Sequence, residues 1–283
     1  MSDDQRGSLA RHPRHRVAVL GSFTLTSRDG AQVPLDVDAR RLVAYLAVHP
    51  RPQRRDGLAA DLWPDVDTTT AQDLLSETLE ALDVPDLVVA DTDGTVRLAP
   101  QVDVDLAEAL ALVRALPQLP DDDLPGAAPL SADILPDWTA PWVVVERERF
   151  RQIRLAALEH LSARLTAAGR HAEAVRVAQE AVRAAPSRES ARRALIEAHL
   201  AEGDVGAALA QYDEYQELLR SSVGGPVLTA LDTLLPPGSF RPVQRARRVT
   251  PRSAVVLPRL HAVRRTAGAP RRLVAGGSAP GTR

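Results

Sequence analysis

A mainly α-helical protein in two parts, an α+β head followed by a body of paired helices, is predicted by three observations. Near the N-terminus, short runs of alternating apolar and polar residues give way to three helical stretches and then to a second pair of alternating runs. A stretch rich in Pro and Asp, "LPQLPDDDLPGAAP" at 116–129, interrupts every regular pattern. Beyond it, small and apolar residues recur at a fixed spacing, as they do when helix pairs are stacked.

The first alternating run is "HRVAVLGSFTLTSRDGAQVPLDVD", with Arg28-Asp29-Gly30 as a turn, so short antiparallel strands are expected. From Asp38, "DARRLVAYLAVHP" sets Leu42, Val43, Leu46 and Ala47 on one helical stripe, with Asp38 as candidate N-cap and Pro50 as the stop. "RRDGLAADLWP" is a short second helix ending before Pro64. "TTTAQDLLSETLEALDVP" is a third, with Ala71, Leu74, Leu75, Thr78, Leu79 and Leu82 turned inward. The tight "PDVD" between them makes the pair a helix-turn-helix candidate. "DLVVADTDGTVRLAP" then supplies two strands around Thr92-Asp93-Gly94. Strands, three helices and a closing hairpin make a winged helix over residues 16–105.

"VDLAEALALVRAL" is a helix that either closes the head or opens the body. With the Pro/Asp-rich linker it occupies 106–137. The body, 138–236, shows an internal echo at a shift of 34 residues: Leu161 aligns with Leu195, Gly169 with Gly203, Ala174 with Ala208, Val175 with Leu209 and Ala178 with Tyr212. That period is expected of tetratricopeptide-like repeats, in which small residues let paired helices approach and Gly ends the first helix of each pair. Two units are fewer than a free-standing solenoid needs, so "WVVVERERFRQIRL" and "PVLTALDTLL" are expected to cap them. Residues 1–15 and 237–283, polar and rich in Arg, Pro and Gly, are expected to be disordered.

Composition narrows the function classes. With 45% apolar and 25% charged residues the chain reads as a soluble globular protein. All 35 basic side chains are Arg, which suits a GC-rich coding genome. The absence of Cys excludes disulfides, thiolate zinc sites and cysteine nucleophiles, and fits a reducing cytoplasm. No apolar run reaches the roughly 18 residues of a membrane span, and the first residues lack a signal core, so a cytoplasmic protein is expected. The seven His fall in no H-E-x-x-H pair, and "DDD" at 121–123 lacks the calcium-loop spacing. Without Lys there is no phosphate-binding G-x-x-x-x-G-K-[ST] loop, and no G-x-S-x-G elbow occurs. No enzyme, cofactor or metal is expected.

Charge is divided unevenly. Residues 241–283 hold eleven Arg and no acid, so with a net of −2 overall the other 240 residues sum to −13. Over 16–103, eight Arg face fifteen Asp and Glu, a net of −7, where a nucleic-acid-binding module is normally basic. The third helix sharpens the conflict. Its outward residues are Gln72, Asp73, Ser76, Glu77 and Glu80, followed by Asp83, with no positive charge. Candidate DNA contacts are Arg54 and Arg55 at the start of the second helix, Arg97 on the hairpin, and Gln72 and Ser76 toward bases. Arg40 and Arg41 add basic surface on the first helix, and the Arg-rich tail offers three readings: a second route to phosphates, a partner for the chain's own acidic head, or an unselected extension of a GC-rich gene.

The order of these parts, and "PDWTAPWVVVERERFRQIRLAALEHLSARLTAAGRHAEAV" with "LIEAHLAEGDVGAALAQYDEY" at 195–215, resembles the Streptomyces antibiotic regulatory protein family, whose body is the bacterial transcriptional activator domain. In the head, "VAVLGSFTL", "DGAQVPL", "LWP" and "VRLAPQVDVDLAEAL" are similar to that family's winged helix of the response-regulator output type. The resemblance covers about residues 16–236. It implies a transcriptional regulator that binds promoter DNA as a homodimer and contacts RNA polymerase or another regulator. Family members usually carry several Arg on the third helix, from which this chain departs. Trp138 and Trp142, four apart, would share a helical face and anchor that segment to the repeats; with Tyr212 and Tyr215 they are also candidate partner-binding residues. The alternative is an adaptor or antagonist that has lost DNA binding and acts by protein contacts alone.

Overall fold

The computed structural model describes residues 14–223 and 230–234; of the disorder expected over 1–15 and 237–283, residues 1–13 and 237–283 lie outside them, while Arg14 and His15 are instead held in place by Asp103 and Pro85 O. The mainly helical class is found: a winged-helix head followed by a tetratricopeptide-like body.

The head opens with β1 (Arg16–Ala18) and β2 (Thr24–Thr26), antiparallel with Val17 opposite Leu25. The turn between them is at 19–23, not at Arg28-Asp29-Gly30. The latter closes a separate loop, Ser27 N–H donating to Ala31 O at 2.8 Å, with Gly30 at φ 88° and an isolated bridge between Thr26 and Gln32. His15 is buried, its Nε2 3.0 Å from Pro85 O.

Helix α1 (Val37–Val48) is capped by Asp36, whose Oδ1 accepts from Ala39 N–H at 2.7 Å, rather than by Asp38. Asp38 lies in the first turn and instead accepts from Trp63 Nε1 at 3.1 Å, joining α1 to the end of α2 (Arg55–Leu62). Helix α3 (Thr68–Ala81) starts at Asp67, which accepts from the Thr69 and Thr70 N–H groups at 3.0 and 3.1 Å. Leu42, Leu46, Leu58, Leu62, Ala71 and Leu75 close one core beneath a sheet of order β3-β5-β4: β3 (Gln53–Arg54), β5 (Thr95–Leu98) and β4 (Val88–Ala90). The β4–β5 turn needs Gly94, at φ 80°.

Strand β6 (Asp103–Val104) pairs in parallel with β1, completing the order β2-β1-β6, and runs into α4 (Asp105–Ala115). The Asp105 carboxylate accepts from Val19 and Leu20 N–H groups at 2.9 and 3.0 Å, so α4 both closes the head and leads into the body.

The Pro/Asp-rich stretch does not swing free. It forms short 3-10 turns at Leu116–Gln118, Asp121–Asp123 and Ala128–Leu130, and buries Leu116, Leu124, Leu130, Ile134 and Leu135. Burial of such side chains contributes roughly 1.5–3 kcal/mol each. Its backbone carbonyls, lacking regular partners, are met by guanidinium groups from the body. Arg164 donates to Leu116 O and Leu119 O at 2.6 and 2.8 Å, and Arg170 to Asp121 O and Leu124 O at 3.0 and 3.1 Å. Arg154, only 3% exposed, donates to Ser131 O at 3.0 Å and pairs with Asp133 at 2.6 Å. Arg147 donates to Ile134 O and Trp138 O, both at 2.7 Å, and to Leu135 O. The same stretch touches the head through a bridge between Leu20 and Ile134 and the Leu135 N–H bond to Val19 O at 2.9 Å.

The body stacks α5 (Pro141–Ala167), α6 (His171–Ala184), α7 (Glu189–Glu202) and α8 (Val205–Val223). The 34-residue echo has a direct structural cause. Gly169 and Gly203 end α5 and α7 with φ of 75° and 88°, while Ala174 and Ala208 are fully buried where the paired helices meet. Of the expected C-terminal cap, Ala230–Thr233 forms a 3-10 turn and Leu231 is buried against the last helix pair, while 224–229 lie outside the described residues.

Candidate nucleic-acid interface

Helix α3 projects Asp73, Glu77 and Glu80 to solvent, and Gln72 and Ser76 sit between them, partly covered. The two polar side chains are already engaged. Gln72 Nε2 donates to Asp56 Oδ1 at 2.9 Å, and Ser76 Oγ donates to Gln72 O one turn back, also at 2.9 Å. Reaching a base would require each to exchange an existing bond. At the head of the helix, Asp67 adds another exposed carboxylate, held below the usual range by the Thr70 hydroxyl and backbone N–H bonds. Every charged side chain on the solvent face of α3 is therefore a carboxylate.

The cations lie elsewhere. Arg54 ends β3 opposite Thr95 of β5, and Arg97 lies two residues further along that strand. Residues two apart on a strand share a face, so Arg54 and Arg97 share the face of the sheet opposite the buried Val96. Arg55 opens α2, is exposed, and its backbone N–H donates to Gly94 O at 3.2 Å, fixing the hairpin turn beside the helix start. Carboxylates offset this group: Arg97 Nε binds Asp91 Oδ2 at 3.1 Å, and Arg54 lies in the field of Asp93. The Asp93 carboxyl is held low chiefly by bonds from Thr95. Arg54, Arg55 and Arg97 thus come together at one edge of the head, while Gln72 and Ser76 stand apart from them on α3. Arg41 turns back to Leu62 O at 3.1 Å.

The two tryptophans do not share a helical face, because Trp138 precedes α5 while Trp142 lies in its first turn. Both face the head rather than the repeats. Trp138 lies 6.2 Å from Phe23 and 6.4 Å from Trp142, and Trp142 meets Tyr45 edge-on at 5.0 Å. Tyr45 stacks on His49 at 4.1 Å and donates its hydroxyl to Asp61 at 2.5 Å; burial first, then that bond, raises its pKa. In the body, Tyr215 is buried, its hydroxyl 3.3 Å from Ser187 O and its ring 6.0 Å from the Arg192 guanidinium. Tyr212 is half-buried and accepts from Gln216 Nε2 at 3.2 Å. Nothing local in the sequence marks Tyr45, His49, Arg147 or Arg154 as junction residues. Their partners lie on other elements.

The architecture is that of a winged-helix protein with a helical-repeat body. Residues 103–234, from β6 through the strapped segment and all four body helices, match the family model described as bacterial transcriptional activator domain. A similar solved structure is that of Mycobacterium tuberculosis EmbR in complex with low affinity phosphopeptide, at 22% identity and a TM-score of 0.56. The match covers 78% of this chain and 64% of that one, so the chain spans less than two thirds of its neighbour's length. At that identity the likeness establishes the fold. No curated protein matches the sequence.

Proposed function

We propose that the chain is a transcriptional regulator whose helical body dimerises and contacts the transcription machinery while its winged-helix head engages promoter DNA. The observation that carries this reading is the winged helix joined, through the strapped segment, to a body that matches the bacterial transcriptional activator domain. Phosphate contact would come from the edge formed by Arg54, Arg55 and Arg97 rather than from α3.

A second reading, an adaptor or antagonist that acts through protein contacts without DNA, is favoured by the exposed carboxylates Asp73, Glu77 and Glu80, with no cation on that face and with Gln72 and Ser76 engaged. A mobility-shift titration separates the two. The full chain and a fragment of residues 1–236, which omits the Arg-rich stretch 241–283, are titrated with upstream DNA across a range of salt. Binding by both proteins that falls steeply with salt, and that is lost in an Arg54→Ala/Arg55→Ala/Arg97→Ala variant, supports the first reading. Binding by neither supports the second, and binding by the full chain alone places the phosphate contact in the Arg-rich residues 241–283 and not in the head.

A further inference from the structure

A cleft of about 570 Å³ opens where the C-terminal end of α1 and the chain leading into β3 face α4 and α5. We propose that this cleft binds a small amphiphilic monoanion, an apolar molecule bearing one carboxylate or sulfonate. The inference does not depend on whether the head binds DNA.

Four features of the cleft lead there. Its volume lies within the roughly 300–1,000 Å³ of small-molecule sites, too small for a folded partner. Its floor is apolar, with Val48, Leu106 and Phe150 buried and Ile153 half-buried, so an occupant gains most from an apolar body. Its rim carries three guanidinium groups, Arg51, Arg114 and Arg149, against a single carboxylate, Glu146. This positive rim stands in a chain whose first 240 residues are otherwise strongly acidic.

The state of these side chains is the sharper observation. Elsewhere in the body the guanidinium groups mostly find carboxylates or carbonyls, as Arg154, Arg164, Arg170 and Arg192 do. The Arg51 and Arg114 guanidiniums form no ion pair or hydrogen bond with another described residue. The helix dipole gives Arg114 a structural reason to sit in the last turn of α4, but Arg51 is on no helix. Arg149 reaches Glu146 only at 3.7 Å and is 73% exposed. Glu146 is also 3.9 Å from His49 Nε2, so it is drawn toward the head side of the cleft. A carboxylate placed between Arg51 and Arg114 would meet planar donors suited to two-oxygen recognition. With Arg149 beside Glu146, Arg51 and Arg114 remain for one anionic group, and the apolar floor offers no partner for a second. Because Arg51 belongs to the head and Arg114 to α4, one bound anion would hold both sides of the junction.

The test uses two fluorescent probes of the same aromatic body, anilinonaphthalene sulfonate and its uncharged twin N-phenylnaphthylamine, titrated into the full chain. The expected result is one saturable sulfonate site, displaced by decanoate but not by decanol, with the uncharged probe at least tenfold weaker. An Arg51→Gln/Arg114→Gln variant, changed only at exposed positions, should weaken the sulfonate probe at least tenfold and leave the uncharged one as it was. Arg176→Gln, exposed on α6, should change neither. Ile153→Glu should remove both by filling the floor with a charge. Sulfonate binding that survives the double Arg change, or an uncharged probe that binds as tightly as the charged one, overturns the proposal.

Discussion

Reversing the charge on α3 turns its acidic face into a measurement. Asp73, Glu77 and Glu80 are all exposed, and changing all three to Arg alters that face by six charge units, from −3 to +3. The helix should tolerate it. Arg has a helix propensity at least equal to that of Asp and Glu, and Glu80 lies in the last turn, where a cation suits the dipole. If the face lies against duplex DNA, each new guanidinium can neutralise about one phosphate. Counterion release then steepens the dependence of log K on log salt by about 0.9 per phosphate, or roughly 2.7 for the three. Between about 50 and 200 mM salt, that slope corresponds to roughly forty-fold more loss of affinity than the parent shows. Fluorescence anisotropy of a labelled non-specific duplex measures both proteins side by side, so the Arg-rich tail contributes equally and cancels. Circular dichroism checks that the variant is folded. Equal slopes for variant and parent would mean that α3 does not face the phosphates and that its acidity has no bearing on DNA binding.

Three further outcomes follow from the packing. Trp142→Ala removes a half-buried ring that contacts Tyr45 and His49, and should cost about 2–3 kcal/mol in chemical denaturation, below the value for a fully buried Trp. A double-mutant cycle with Tyr45→Ala should return about 0.5–1.5 kcal/mol of coupling, and zero coupling would refute the aromatic junction. Gly203→Ala should lower stability by about 1–2 kcal/mol, because its φ of 88° disfavours a Cβ although nothing lies within 4 Å of one; an unchanged melting temperature would contradict this. The Glu214 carboxyl is held below its ordinary value of 4.5, first by the hydrogen bond from Arg192. A depressed folded-state pKa gives stability that is present above the ordinary value and is lost as pH falls through the lowered one. Glu214→Gln should therefore be less stable than the parent near neutrality, with the gap closing on acidification below about 4.5. A gap that stays constant with pH would show that the pair is not responsible.

Several features were legible because they are local. The alternation around Thr92-Asp93-Gly94 and the stripe Ala71, Leu75, Thr78 depend only on the strand and helix periods, and both appear in the structure. The echo of Gly169 at Gly203 marks the left-handed helix ends, where the absence of a Cβ is the whole requirement. Where local signals competed, the outcome was less readable. Asp36 and Asp38 both suit an N-cap, and the choice fell to Asp36 because Asp38 bonds to Trp63 across the head. Arg28-Asp29-Gly30 has turn chemistry, yet the β1–β2 hairpin closes earlier because β1 must also pair with β6 and leave Val19 and Leu20 free for Asp105.

By itself the sequence determined the kinds of element, their order, the repeat period and the negative charge of α3, since each depends on residues within a turn or two of one another or on simple counting. Only the tertiary structure decided what the polar and aromatic side chains do. It turned Gln72 toward Asp56, drew Trp138 and Trp142 onto the head, and bound a Pro/Asp-rich stretch to the body through Arg147, Arg154, Arg164 and Arg170. It also left Arg51 and Arg114 facing one cleft. The physical reason is that a guanidinium, an amide or an aromatic ring satisfies itself with whichever partner the fold brings within about 3 to 6 Å, and that partner can lie anywhere along the chain.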